Sequence, residues 1–342
     1  MRKMLGALAG AALLAVSWAN HAVKAGEIVV YTAEEAEDLK TYAAAFNKAY
    51  PDIKIKWVRD STGIVTAKLL AEKNNPVADA IWGLSGSSLL VLKSEGLLDP
   101  YKPAGLEKLD KKFIDKSSPP SWVGIDAYVG AVCFNTIEAA KDKLPKPKSW
   151  MDFTKPVYKG KLVMPNPNSS GTGFLFVSSW LQMFGEKKGW AFMDKLHENM
   201  ARYTHSGSKP CKLAAAGETD IGLSFAFRAA RLKDKGAPID VVIPEEGIGW
   251  EIEAAAMIAG TPHAADVKKL MDWAVTPEAM RVYNRGYAVL AIPGIAKPVS
   301  HFPEKLLEKM LDQDFEWAAN NRARILKEWA RRYDSKSDPK KK

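Results

Sequence analysis

The chain has 342 residues, of which 47% are hydrophobic and 26% charged, with a formal net charge of +9 and two cysteines. That length and apolar content fit two packed domains and exclude a disordered, collagen-like or disulfide-dense chain. The positive balance is compatible with an anionic ligand but selects no partner by itself.

Arg2 and Lys3 precede an apolar run from Leu5 to Val16, and small residues follow up to Ala25. This is the layout of a secretory signal peptide over residues 1–25; the run is shorter than the roughly 20 residues that span a bilayer. Cleavage near Ala25 predicts a soluble, exported protein. Three of the 49 basic residues would leave with the leader and none of the 40 acidic ones, so the remainder carries +6. Export permits a disulfide between Cys133 and Cys211, with two buried thiols as the alternative. Neither cysteine has a His or Cys partner at metal-ligand spacing, so no metal site or cofactor is expected.

In chain order, Glu27–Tyr31 reads as a strand, Glu34–Tyr50 as an amphipathic helix stopped by Pro51, and Ile53–Val58 as an alternating strand. Thr66–Lys73 is a predicted helix and Ala78–Gly83 a buried strand. A second set follows: strands at Tyr128–Phe134, Leu162–Met164, Ile221–Phe227, Val241–Ile243 and Ile252–Ile258, with helices at Phe174–Phe184, Ala191–Asn199 and Ala265–Val275. Strands alternating with helices predict an α/β architecture. Near the end, Phe315, Ala318, Ile325, Trp329 and Tyr333 form a helical stripe with Asp314 as N-cap. The basic residues of that helix, Arg322 among them, read as a solvated face, and 336–342 as a disordered basic tail, not a nucleic-acid arm.

Three segments combine Ser, Thr and Gly and each leads into a predicted helix: Asp60–Gly63, Asn168–Gly173 and Thr204–Ser208. The first turn of a helix presents unpartnered N–H groups and a partial positive charge, and glycine admits an anion close to the backbone. Phosphate and phosphonate, with three terminal oxygens, suit such a cradle. Each segment is also an ordinary N-cap or turn; three in one exported α/β chain point to an anion. Catalytic motifs are incomplete. Gly83-Leu84-Ser85-Gly86-Ser87 lacks the last glycine of a nucleophile elbow, and Ala201 stands where H-E-x-x-H, begun at His197-Glu198, needs its second histidine. A binding protein is expected rather than an enzyme.

Several of these stretches carry a resemblance. Val30-Tyr31-Thr32-Ala33, Lys56 to Ile64, Met164 to Pro167, Ser169 to Gly173, Tyr203 to Cys211, Gly249 to Glu253 and Trp317 to Arg322 are similar to the periplasmic 2-aminoethylphosphonate-binding proteins of ABC importers. Those belong to a larger group with ferric-ion- and sugar-phosphate-binding proteins. The resemblance implies a two-lobed periplasmic binding fold (type II), with lobe 1 at 26–128 plus 250–300, lobe 2 at 129–249 and C-terminal helices at 301–335 packed on the body. It implies strand crossings near Tyr128–Gly130 and Trp250–Glu253, and a monomer that delivers its ligand to an ABC permease. It places the phosphonate against Ser61 and Thr62 on one lobe and Ser169, Ser170, Gly171 and Thr172 on the other, with Ser85 and Ser224 also lining the cleft. A zwitterion needs a second pole; Glu35 is the first candidate for its ammonium, with Glu34, Asp60, Glu251 and Glu253 as rivals, and Tyr31, Trp82 and Phe225 are candidate walls. Ferric binders use paired tyrosines where this chain has Phe225-Ala226-Phe227. Phenyl rings cannot ligate iron, so the departure argues against it; sugar phosphate, phosphate and a secreted hydrolase are the other readings.

Overall fold

A computed structural model describes residues 26–303 and 305–339; the expected leader and residues 340–342 lie outside them. Eleven strands are described: β1 Gly26–Thr32, β2 Ile53–Arg59, β3 Ala80–Ser85, β4 Leu98–Asp99, β5 Val123–Asn135, β6 Leu162–Pro165, β7 Met200–Thr204, β8 Ile221–Phe225, β9 Ile239–Val242, β10 Trp250–Ile258 and β11 Val289–Leu290. Their order is β2-β1-β3-β10-β5-β8-β6-β7, with β4 on β10 and β9 and β11 on β5.

The strand β5 ties the molecule together. All of its 13 residues are buried, the pattern of a strand covered on both faces. Its first half, Val123–Val129, pairs antiparallel with β10, and from Gly130 onward it pairs with β8 and β9. The change of partner falls where Gly130 N donates to Gly249 O at 2.8 Å, just before β10 begins. The two long strands therefore pass from one lobe to the other side by side. A Cβ on Gly249 would lie 2.4 Å from Ser179 Oγ, so glycine permits this close crossing.

Parallel pairing of β1 with β2 and β3 puts the ends of those strands, and the loops after them, at one edge of lobe 1. In lobe 2, β6 runs parallel to both β7 and β8 and does the same for the loops after them. Ligand crevices of α/β sheets open at such strand ends. Cys133 on β5 and Cys211 on the helix Lys209–Ala215 form a disulfide, with Cα atoms 5.4 Å apart. The pairing resolves the two alternatives for these cysteines and fixes that helix to the central strand.

The final helix, Phe315–Tyr333, begins at Asp314, whose side chain accepts from Trp317 N at 2.9 Å. It packs on the helix Gly86–Ser94 of lobe 1 and on Gly171–Phe184 of lobe 2. Its apolar stripe meets Trp250 through Phe315, Tyr203 through Trp329 and Trp190 through Tyr333.

Two expectations for this end of the chain are corrected. Arg322 is buried, with its guanidinium 4.2 Å from the centre of the Phe174 ring. The segment 336–339 is docked rather than loose. Lys336 Nζ donates to His197 O at 2.6 Å and Met200 O at 2.7 Å, at the C-terminal end of the helix Glu186–Asn199, where unpaired carbonyls favour a cation. Asp338 N donates to Tyr203 O at 2.7 Å.

Candidate functional site

The three Ser/Thr/Gly segments converge on one cleft, lined by Ser61 and Thr62, by Ser170, Gly171 and Thr172, and by Ser206 and Gly207. Ser61 is the N-cap of the helix Thr62–Ala71, but its side chain makes no cap bond. Ser170 caps the helix Gly171–Phe184, accepting from Gly173 N. Ten and fourteen residues long, these two helices start at the same cleft from opposite lobes. Gly63 N, Ile64 N and Gly173 N are already engaged within the loops, so the two helix dipoles and the remaining first-turn N–H groups, those of Gly171 and Thr172 among them, make the region favourable to negative charge.

The loops are held together by a short chain of hydrogen bonds. Gly63 N donates to Ser169 O at 2.9 Å, Ser169 Oγ donates to His205 O at 3.0 Å, and Ser224 Oγ donates to Gly207 O at 2.7 Å. Two glycines allow the approach: a Cβ on Gly171 would lie 2.6 Å from Thr62 Oγ1, and one on Gly207 would lie 2.4 Å from Thr172 Oγ1.

The expected site residues therefore separate into groups. Ser61, Thr62, Ser170, Gly171, Thr172 and Phe225 line the cleft; Ser169 and Ser224 lie behind it and hold its loops. The hydroxyl of Ser85 bonds Ser88 Oγ in the buried start of the next helix and is not part of the lining. Tyr31 and Trp82 are not walls either. Tyr31 is buried, with its hydroxyl donating to Glu72. Trp82 is fully buried among Tyr42, Trp57 and Trp273, with Nε1 donating to Tyr283 Oη. Both strands use these aromatics to build the core of lobe 1.

Glu35 reaches the cleft, but its carboxylate is paired with Arg228 Nη2 at 2.8 Å. Arg228 also meets Glu37 at 3.0 Å, and Arg231 meets Glu37 at 2.9 Å and Asp38 at 2.7 Å. The arginines belong to the helix Ala226–Asp234 of lobe 2 and the acids to the start of lobe 1, so the network spans the cleft. Burial pushes the Glu37 carboxyl up, but Arg228 and Arg231 outweigh it and hold the group below its ordinary range.

A different set of acids is unpaired. Glu34, Asp126 and Glu253 are buried, with a carboxylate oxygen from each lying within 4.8 Å of the others. Glu34 accepts from Tyr287 Oη at 3.0 Å. As ionised carboxylates, both oxygens of Asp126, Oε1 of Glu34 and Oε2 of Glu253 have no donor among the described residues; only a proton kept on one acid lets Asp126 and Glu253 bond each other. Burial first, then mutual repulsion, pushes all three well above the usual carboxylate range. Glu253 and Tyr287 also line the cleft.

Arg59, Tyr128, Phe227 and Tyr287 line it too and were not foreseen from sequence as contacts. Arg59 follows Val58 in an alternating strand and could have been inferred from its place next to Asp60-Ser61. Tyr287 sits in a stretch without a motif, and only the folded chain brings it there.

A family profile for bacterial extracellular solute-binding proteins matches residues 75–321. An uncharacterized protein of Haemophilus influenzae is 31% identical over 328 residues, covering 93% of each chain. A putative 2-aminoethylphosphonate-binding periplasmic protein of Salmonella typhimurium is 25% identical over 244 residues, covering 69% of this chain and 68% of its own. Among solved structures, the periplasmic binding protein AfuA from Actinobacillus pleuropneumoniae, with fructose-6-phosphate bound, superposes with a TM-score of 0.84 at 29% identity over 90% of this chain and 99% of its own. The two-lobed α/β architecture is thus that of type II periplasmic binding proteins, and these relatives bind ligands rather than turn them over.

Proposed function

The chain belongs to the bacterial extracellular solute-binding protein family, the ligand-capturing partners of ABC importers, and from that premise we propose that it is a monomeric periplasmic receptor for a small phosphorus-containing anion, 2-aminoethylphosphonate foremost. The observation that carries this reading is the convergence of three hydroxyl-and-glycine segments, two of them true helix starts, on one inter-lobe cleft. Ser61 and Thr62 approach the phosphonyl oxygens from lobe 1, and Ser170, Gly171 and Thr172 from lobe 2. Closing the lobes around the ligand completes the cradle, and the closed form is what the permease would recognise.

A ligand of about seven heavy atoms can reach roughly −10 kcal/mol at the ceiling of about −1.5 kcal/mol per atom, which corresponds to a Kd of tens of nanomolar. That ceiling requires both ends of the ligand to be well matched.

A sugar phosphate is the second reading, favoured by the fructose-6-phosphate bound to AfuA. It would use the same cradle and present hydroxyl groups to the rest of the cleft. Thermal unfolding of the purified protein with 2-aminoethylphosphonate, fructose 6-phosphate, inorganic phosphate and ferric citrate separates the readings. A rise in Tm with 2-aminoethylphosphonate well above that with fructose 6-phosphate is expected. A rise with the sugar phosphate alone would replace the ligand, and stabilisation by ferric citrate alone would overturn the phosphorus reading.

A further inference from the structure

We infer that Glu34, Asp126 and Glu253, with Tyr287, form a cation subsite that receives the primary ammonium of the bound ligand, so that the chain selects aminated over neutral organophosphorus anions. The inference rests on the phosphorus reading above and moves amine recognition away from Glu35. Two independent features support it. Glu35 already faces the guanidinium of Arg228 at 2.8 Å, with Lys212 at 3.9 Å, and has little attraction left for a second cation. The trio, by contrast, has no basic partner in the ion pairs of the described residues, and Asp126 is 0% exposed with both oxygens unpartnered.

A buried carboxylate without a hydrogen bond or counter-charge is costly, and three within reach of one another are more so. An ammonium has three N–H donors and one positive charge. It can donate to one oxygen of each acid while cancelling part of their repulsion. Glu253 and Tyr287 line the same cleft as the anion cradle, with Glu34 and Asp126 behind them, so the far end of a short zwitterion would reach the trio through Glu253. Asp126 and Glu253 are register partners on β5 and β10, the two strands that cross between lobes, so strand pairing holds these two acids side by side. A sugar body could donate hydroxyls to the same oxygens but would leave their charge in place.

The test is isothermal titration of the wild type, Asp126→Asn and Glu253→Gln with 2-aminoethylphosphonate and with ethylphosphonate, which lacks the amine. The wild type should prefer the aminated ligand by on the order of 100-fold, the scale of one buried charge-assisted contact. Each substitution should shrink that ratio by tenfold or more. A ratio near one in the wild type, or one unmoved in both variants, overturns the subsite while leaving the phosphorus reading intact. Failure of every phosphorus ligand to bind the wild type would remove the phosphorus reading itself.

A second measurement needs no variant. At pH about 8, where phosphate-type groups have lost their second proton, titration of the wild type in buffers of different ionisation enthalpy should show net proton release on binding 2-aminoethylphosphonate, because the incoming cation displaces protons held by the trio. Proton uptake counts against the subsite. Stabilisation by Ca²⁺ alone, with loss of the amine preference in chelator, would reassign the trio to a metal.

Discussion

At the scale of single residues, the glycines of the cradle carry the sharpest expectation. The Cβ of Gly171→Ala would stand 2.6 Å from Thr62 Oγ1, across the gap between lobes. The lobes would fold as before but could not close to the same distance. Ligand affinity should fall by about 100-fold, the scale of a lost cluster of charge-assisted contacts, with Tm of the free protein within about 3 °C of the wild type. Titration calorimetry beside a thermal melt checks both halves. The buried acids predict a pH dependence. A carboxyl whose pKa is raised on folding binds more protons in the folded state than in the unfolded one, so stability declines as pH rises above the ordinary carboxylate range of about 4. All three acids are raised. The urea midpoint of the ligand-free wild type should therefore drop between pH about 5 and 8, and Asp126→Asn should flatten that slope. An equal slope in both proteins would show that Asp126 does not hold its proton in the native state.

At the scale of elements, the two arginines of the helix Ala226–Asp234 and the three acids at the start of the helix Ala36–Ala49 act as a clasp over the cleft. Arg228 is buried and Arg231 partly so, which reduces screening by solvent. Arg231→Gln should favour the open form, weaken ligand by about three- to tenfold and raise its off-rate. The wild type should lose more affinity than this variant between low and high salt, measured by titration at both. Identical salt dependence would mean the clasp is not formed in the bound state.

Element identity was largely legible because most helices and strands announce themselves by period. The misreadings share a cause: chemistry at element ends overrides periodicity. The helix expected from Thr66 begins at Thr62, because its first turn is made of the same polar residues that build the cradle. The strand expected to run to Phe227 stops at Phe225, where the next helix starts at once. The anion segments could be found because hydroxyls and glycines cluster locally. Of the trio, Glu34 and Glu253 are among the sequence candidates for the ammonium, but Asp126 is not, and that the three meet is not legible because they come from distant parts of the chain, with Asp126 and Glu253 joined only by the pairing of β5 with β10. The sequence shows which acids follow the first strand, but not that Glu35 already faces an arginine while Glu34 does not.

At the scale of the whole molecule, the bond between Cys133 and Cys211 closes a loop of 78 residues around most of lobe 2. In the chain-entropy view a loop of that length stabilises by about 4 kcal/mol. Replacing both cysteines by alanine should lower the unfolding free energy by up to about that amount and loosen the third cradle segment, which leads into the helix that carries Cys211. Chemical denaturation of the pair-substituted protein, with ligand affinity measured beside it, is the check. Loss of stability without loss of affinity would show that the cradle stands without the bond.

The docked C-terminal segment has a practical consequence. Pro339 O accepts from His205 Nε2 at 2.8 Å, and the residue after His205, Ser206, lines the cleft. With both native cysteines occupied by one disulfide, a cysteine introduced at Pro339 would be the chain's sole free thiol. A solvent-sensitive dye attached there would sit beside the third cradle segment without touching its lining, so the end of the polypeptide offers an optical reporter of ligand capture.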